Sequence, residues 1–134
     1  SPQGCVFLMD SPDEISRKFK RAVTDSDSEN CVRYAPQEKP GVANLMSIYS
    51  SVTGRSFEEI EREFEGQGYG KLKPAVGDAV IEALRPIREN AERMIADKAY
   101  LQQVYTEGAQ KASYVARKTL RRVYKRVGFV EKPF

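Results

Sequence analysis

The 134-residue chain contains no histidine. That absence excludes Ser–His and Cys–His nucleophilic pairs and the common His-containing zinc sites. Its two cysteines, Cys5 and Cys31, match neither a CxxC pair nor a disulfide framework, which points to a reduced, cytoplasmic setting. No apolar run is long enough to span a bilayer and no signal-peptide pattern is present, so a membrane protein is not expected. Alternating strand patterns are almost missing. What remains reads as helices, in a chain long enough to bury a core without metal or disulfide staples.

One further scarcity is local. The stretch 108–130 holds seven cations, Lys111, Arg117, Lys118, Arg121, Arg122, Lys125 and Arg126, and no carboxylate. At about 100° per residue, the cations and Tyr114 share one arc, while Ala109, Ala112, Val115, Ala116, Thr119, Leu120, Val123 and Val127 gather opposite. The pattern predicts an amphipathic helix with a buried apolar stripe and a positive outer face. A solvated lysine/arginine face is the alternative, but such faces usually mix Glu with Lys for i,i+4 pairing. The missing acid favours a polyanion, with nucleic acid the first candidate. Charge is also polarised along the chain. Residues 1–66 carry eight Lys/Arg against twelve Asp/Glu, a net of −4, whereas residues 67–134 carry fourteen against seven, a net of +7.

The remaining elements follow from caps and periodicity. Residues 5–8 could form one extended segment. Ser11, Pro12 and Glu14 open a helix with the capping-box spacing, with Ile15, Phe19 and Val23 as its apolar stripe and Arg17, Lys18, Lys20 and Arg21 outside. Residues 24–30 are a polar loop, in which Asp25 and Asp27 are read as loop caps rather than as a carboxylate pair. A second helix runs from Pro40 through Leu45, Ile48, Tyr49 and Val52 to a Gly54 cap. Ser56 and Glu59 repeat the capping box ahead of Phe57, Ile60 and Phe64, while Glu58, Glu59, Glu61, Glu63 and Glu65 are read as a solvated face.

The GQGYG turn at 66–70 matches no nucleotide-binding fingerprint. It reads as a helix–helix turn, or as a phosphate-holding loop beside Lys71 and Lys73. A long helix from about Leu72 should carry Val76, Val80, Ile81, Leu84, Ile87 and Met94 inward, with Pro74 in its first turn and a kink at Pro86. Asp97 should cap a short helix through Tyr100, Leu101 and Val104, with a bend at Gly108 into the basic helix. The expected class is an all-α bundle of about five to six helices, with one long kinked helix and a basic C-terminal one.

Five blocks, in order, resemble the C-terminal part of bacterial-type tryptophanyl-tRNA synthetases. They are RAVTDSD at 21–27, KPGVANLMSIYSSVTG at 39–54, EREFEGQGYGKLK at 61–73, VIEALRPI at 80–87 and GAQKASYVARKTLRRVYKRVGF at 108–129. Residues 1–9 and the loop around 27–30 fit the pattern loosely and take no role from it. The resemblance implies that residues 1–10 follow the family's KMSKS loop and that 11–134 form a helical anticodon-binding domain for tryptophan tRNA. This family's HIGH-like and KMSKS catalytic signatures are not in the chain, so the stretch is expected to be inactive alone. It would hold no cofactor, ATP with magnesium belonging to the parent enzyme, a homodimer whose catalytic domain would be a partner in the same chain.

Such a domain would splay single-stranded bases, stack them and fix flanking phosphates. Lys111, Arg117, Lys118, Arg121, Arg122, Lys125 and Arg126 are the phosphate candidates, and Tyr114 is the stacking one. Tyr69, Lys71 and Lys73 form a second patch. A helical scaffold with a merely solvated basic face is the competing reading, and a DNA-binding bundle, without any helix-turn-helix or zinc signature, is a weaker one.

Overall fold

Two reciprocal capping boxes set the starts of two helices. The Ser11 backbone N–H and hydroxyl both donate to Glu14 Oε2 at 3.0 Å, while Ser11 Oγ accepts from the Glu14 amide at 3.3 Å. Ser56 and Glu59 repeat the arrangement, with bonds of 2.8 and 3.3 Å. These are the first helix, α1 (Pro12–Arg21), and the third, α3 (Phe57–Glu63). Between them lies α2 (Pro40–Thr53), ended by Gly54, which takes the left-handed conformation at φ 75° and donates its N–H to the Ser50 carbonyl. Glycine is the residue that adopts this φ without steric cost.

The computed structural model describes residues 2–25 and 31–130, and among them every regular element is helical. A 3-10 turn at Pro2–Gly4 precedes α1, and residues 5–7 carry no regular structure. The long helices α4 (Tyr69–Ala96) and α5 (Lys98–Val127) follow α3. The all-α class expected from the sequence is therefore the observed one, with five α-helices among the described residues. Contacts divide the chain into two units, Ser1–Glu89 and Asn90–Phe134. The Asp27 reading and the rest of the loop at 26–30 lie outside the described residues.

The core belongs to the first unit. Ile15 and Phe19 come from α1, Val42, Leu45, Met46 and Tyr49 from α2, and Ile60 from α3, with Phe64 at its cap. Leu72, Val76 and Val80 of α4 complete it, and Leu72 and Val76 are completely buried. The i, i+4 spacing of these α4 residues puts one stripe against the other helices, as a 3.6-residue period requires. Two close approaches tighten the assembly. A Cβ on Gly41 would stand 2.4 Å from the Val23 carbonyl oxygen, so only glycine fits there. Tyr34 stacks on Phe57 with ring centroids 3.7 Å apart.

Several expectations are corrected. Val23 lies beyond the end of α1 and is 84% exposed, because the helix stops at Arg21. Helix α4 begins at Tyr69, three residues early, so Pro74 sits in its second turn, while Pro86 lies inside the helix as expected. Ile87 and Met94 are exposed: the buried stripe of α4 gives way beyond Leu84, Arg88 excepted. The acidic face of α3 is only partly solvated. Glu61 accepts from the Tyr34 amide at 2.7 Å, and Glu63 pairs with Arg55.

Two measurements check this account. Leu72→Ala should lower the unfolding free energy by about 2–5 kcal/mol, the cost of a cavity in a closed core, read from a urea midpoint. Hydrogen bonds from the Ser11 N–H, and secondarily from its hydroxyl, hold the Glu14 carboxyl below its ordinary value of 4.5. That contribution is full above about pH 4.5 and is lost as pH falls through the lower folded value. Glu14→Gln should therefore flatten the acid limb of thermal stability and leave its shape unchanged near neutrality.

Candidate nucleic-acid interface

The basic surface rests on one uninterrupted helix. Asp97 caps α5 by accepting from the Tyr100 amide at 2.9 Å, as the sequence suggested. The far end closes at Gly128, with φ 76°, whose N–H bonds to the Tyr124 carbonyl. The Phe129 N–H reaches the same carbonyl at 3.0 Å, and its ring meets Tyr124 edge-on at 5.9 Å. Lys125 and Arg126 occupy the last turn, where the partial negative charge of the helix end favours cations.

The expected bend at Gly108 is absent. Helix α5 runs through it without a break, and no heavy atom beyond its local backbone lies within 4 Å of where a Cβ would be. Glycine inside a helix costs about 1 kcal/mol relative to alanine, which flanking helix formers such as Glu107, Ala109 and Gln110 outweigh. The consequence is a continuous 30-residue rod.

The seven cations from Lys111 to Arg126 are all exposed. Arg117, Arg121 and Lys125 form one i,i+4 row and Lys118, Arg122 and Arg126 the next, so the helix brings together what the sequence grouped. Lys111 lies two turns before Lys118, on the same arc. Tyr114 is 73% exposed, its ring presented to solvent within the basic arc. A shallow depression of about 890 Å³ borders this arc, lined by Tyr114, Arg117, Lys118 and Arg121 together with Gln110 and Ser113. It offers an aromatic face, cations and neutral hydrogen-bonding groups side by side.

The opposite face departs from expectation. The apolar stripe was expected to be buried, yet α5 has no buried residue; Val115 is 64% exposed, Val123 47% and Val127 55%. Val123 and Val127 lie opposite the cationic rows, whereas Val115 falls between Arg122 and Arg126 at about 100° per residue. Periodicity reports a preference for burial, not the surface that satisfies it.

The second patch also changes character. Lys71 is exposed and Lys73 half-buried on the first turns of α4, but Tyr69 is only 5% exposed. Its hydroxyl donates its one proton to Asp25 Oδ1 at 2.7 Å, with the Cys31 carbonyl as a longer second acceptor at 3.3 Å, and accepts from Lys39 Nζ at 3.0 Å. Lys39 Nζ also donates to the Cys31 carbonyl at 3.3 Å and stands 3.9 Å from Asp25 Oδ2. Burial pushes the Tyr69 hydroxyl above its ordinary value, with Asp25 adding to the rise and Lys39 opposing it, so the phenol stays neutral and can donate. Tyr69 is thus an internal group and its ring is not presented for stacking.

Sequence reasoning missed Lys39 altogether. It reads as the residue before Pro40-Gly41, and nothing in its local pattern marks it as buried. Asp25 was read as a loop cap; its carboxylate instead meets a side chain 44 residues away.

Comparison with known proteins identifies the family of this helical chain. Residues 1–85 match the model of "tRNA synthetases class I (W and Y)". The chain belongs to this family of class I aminoacyl-tRNA synthetases. Among curated relatives it is similar to the tryptophan–tRNA ligase of Clostridium tetani, with 49% identity over 127 residues, 95% of this chain and 37% of the relative. The tryptophan–tRNA ligase of Wolinella succinogenes is 47% identical over 129 residues, 96% of this chain and 38% of the relative. The crystal structure of tryptophanyl-tRNA synthetase from Mycoplasma pneumoniae shares the fold, with a TM-score of 0.62 and 24% identity over 98% of this chain and 41% of that one. The chain thus spans under two fifths of the length of these curated relatives. The family model stops before α5, whereas the tryptophan–tRNA ligases align over nearly the whole chain.

Proposed function

We propose that this chain is the tRNA-recognition part of a tryptophan–tRNA ligase, the ATP-dependent enzyme that charges tryptophan tRNA. The observation that carries the reading is the exposed acid-free array on α5, with Tyr114 set among its cations. Lys111, Arg117, Lys118, Arg121, Arg122, Lys125 and Arg126 would hold backbone phosphates, and Tyr114 would stack an unpaired anticodon base for about 1–3 kcal/mol. Lys71 and Lys73, in the first unit, would form a separate second patch for phosphates. The similarity to tryptophan–tRNA ligases through α5, beyond the reach of the broader family model, supports assigning tryptophan tRNA rather than RNA in general.

The chemistry of amino-acid activation is not assigned to this chain. The turn at 66–70 matches no nucleotide fingerprint, no residue here is given to ATP or magnesium, and there is no histidine to supply a HIGH-like signature. In the parent enzyme, a homodimer in this reading, the domain orients the tRNA so that its 3′ end reaches a catalytic site on other segments. The catalytic domain of the same polypeptide is a further partner in this reading. Among the described residues no helix is long and apolar enough to cross a membrane.

The test is binding of tryptophan tRNA to the chain over a salt series. Affinity should fall log-linearly with salt, with a slope of about 0.7–0.9 per phosphate neutralised. Lys118→Glu with Arg122→Glu should weaken binding by at least tenfold and reduce that slope by about 2. In the full-length enzyme the pair should lose tRNA charging while keeping amino-acid activation. Absence of binding at low salt, or intact charging in the double variant, would overturn the reading in favour of a protein scaffold.

A further inference from the structure

The buried cluster of Lys39, Tyr69, Asp25 and the Cys31 carbonyl joins parts of the chain that are remote in sequence. Tyr69 lies 30 residues from Lys39, 38 from Cys31 and 44 from Asp25. Lys39 stands immediately before α2, and Tyr69 is the first residue of α4. Lys39 and Tyr69 are 8% and 5% exposed, and the ammonium also lies 5.7 Å from the centroid of the Tyr69 ring.

Burying an ammonium and a carboxylate is a poor route to stability, since desolvation offsets much of their attraction. What such a cluster supplies is direction, because its bonds form in one geometry only. The need for direction is plain at the start of α4. The helix follows Gly66 and Gly68, both in the left-handed conformation with φ 69° and 68°. A turn built on glycines leaves the entry angle of the next helix weakly defined by backbone sterics. The Tyr69 hydroxyl, reaching Asp25 and Cys31, supplies the missing constraint. Lys73 lies one turn after Tyr69 and Lys71 half a turn after it, so the orientation of this turn sets where both ammonium groups emerge.

We propose that Lys39, Tyr69 and Asp25 act as a latch: they fix the chain at 22–25 and at Cys31 to the starts of α2 and α4, and so position Lys71 and Lys73 for RNA. Tyr69 and Lys39 are therefore positioning residues that touch no RNA themselves. The positioning part of the inference rests on the tRNA reading above; the latch itself does not.

The two parts are separated by measuring both in Tyr69→Phe, which keeps the buried ring and removes the hydroxyl, and in Lys39→Met, which keeps the stem and removes the charge. Amide order parameters at Thr24 and Cys31 report the latch. They should sit near about 0.85 in the wild-type chain and fall toward about 0.6 in either variant. Affinity for tryptophan tRNA should drop about three- to tenfold in Tyr69→Phe, measured well below a melting temperature lowered by several degrees as Lys39 and Asp25 lose a partner. Adding Lys71→Ala and Lys73→Ala should produce no further tenfold loss in that background. If order parameters at Thr24 and Cys31 are unchanged in Tyr69→Phe, the latch is refuted, whether or not Lys39→Met folds. If they fall but tRNA affinity does not, the positioning role is refuted. Failure of the wild-type chain to bind tRNA would instead strike the function proposed above and leave the latch to be judged on the order parameters.

Discussion

The first unit depends on one apolar seam, the Leu72–Val76–Val80 stripe of α4 closed over by Ile15 and Phe19 of α1, the inner residues of α2 and Ile60 of α3. Each buried aliphatic side chain contributes about 1.5–3 kcal/mol relative to exposure, so removing water from this stripe outweighs any single polar contact in the unit. The polar contacts decide geometry instead. Arg88, at the edge of the buried stretch of α4, donates to the Asp10 carbonyl at 3.3 Å, while Lys18 pairs with the Asp10 carboxylate. Asp10 in turn accepts from the Phe7 amide at 2.9 Å. Residues 7–10 are held by these bonds against two helices, without a strand partner.

The same division of labour explains what was legible in the sequence. Helix starts with a side-chain signature were readable: Ser11/Glu14, Ser56/Glu59 and Asp97 cap where their spacing indicated. So was the Gly54 stop, because its conformation is a local requirement. Core membership of Leu45, Ile60, Val76 and Val80 followed from period alone. These are properties of a few neighbouring residues, and a sequence displays them directly.

What was not legible needed information from far along the chain. Gly108 looked like a bend because glycine permits one, but permission is not requirement, and nothing approaches it closely enough to demand it. Tyr69 looked like a surface aromatic beside two lysines; its burial depends on Lys39, Asp25 and Cys31, all at least 30 residues distant. Val115 and Val123 looked buried because they share a stripe, yet a stripe states only which side prefers to leave water. For the candidate interface, then, the cationic arc and Tyr114 could be grouped from sequence, whereas the role of Tyr69 could not.

The uninterrupted course of α5 has a metric consequence. At about 1.5 Å per residue, Lys111 and Arg126 lie roughly 22 Å apart along a straight axis. A bend at Gly108 would have left that span intact but freed its direction from the turns that begin at Asp97. As one rod, α5 carries its charges at fixed intervals along a single line.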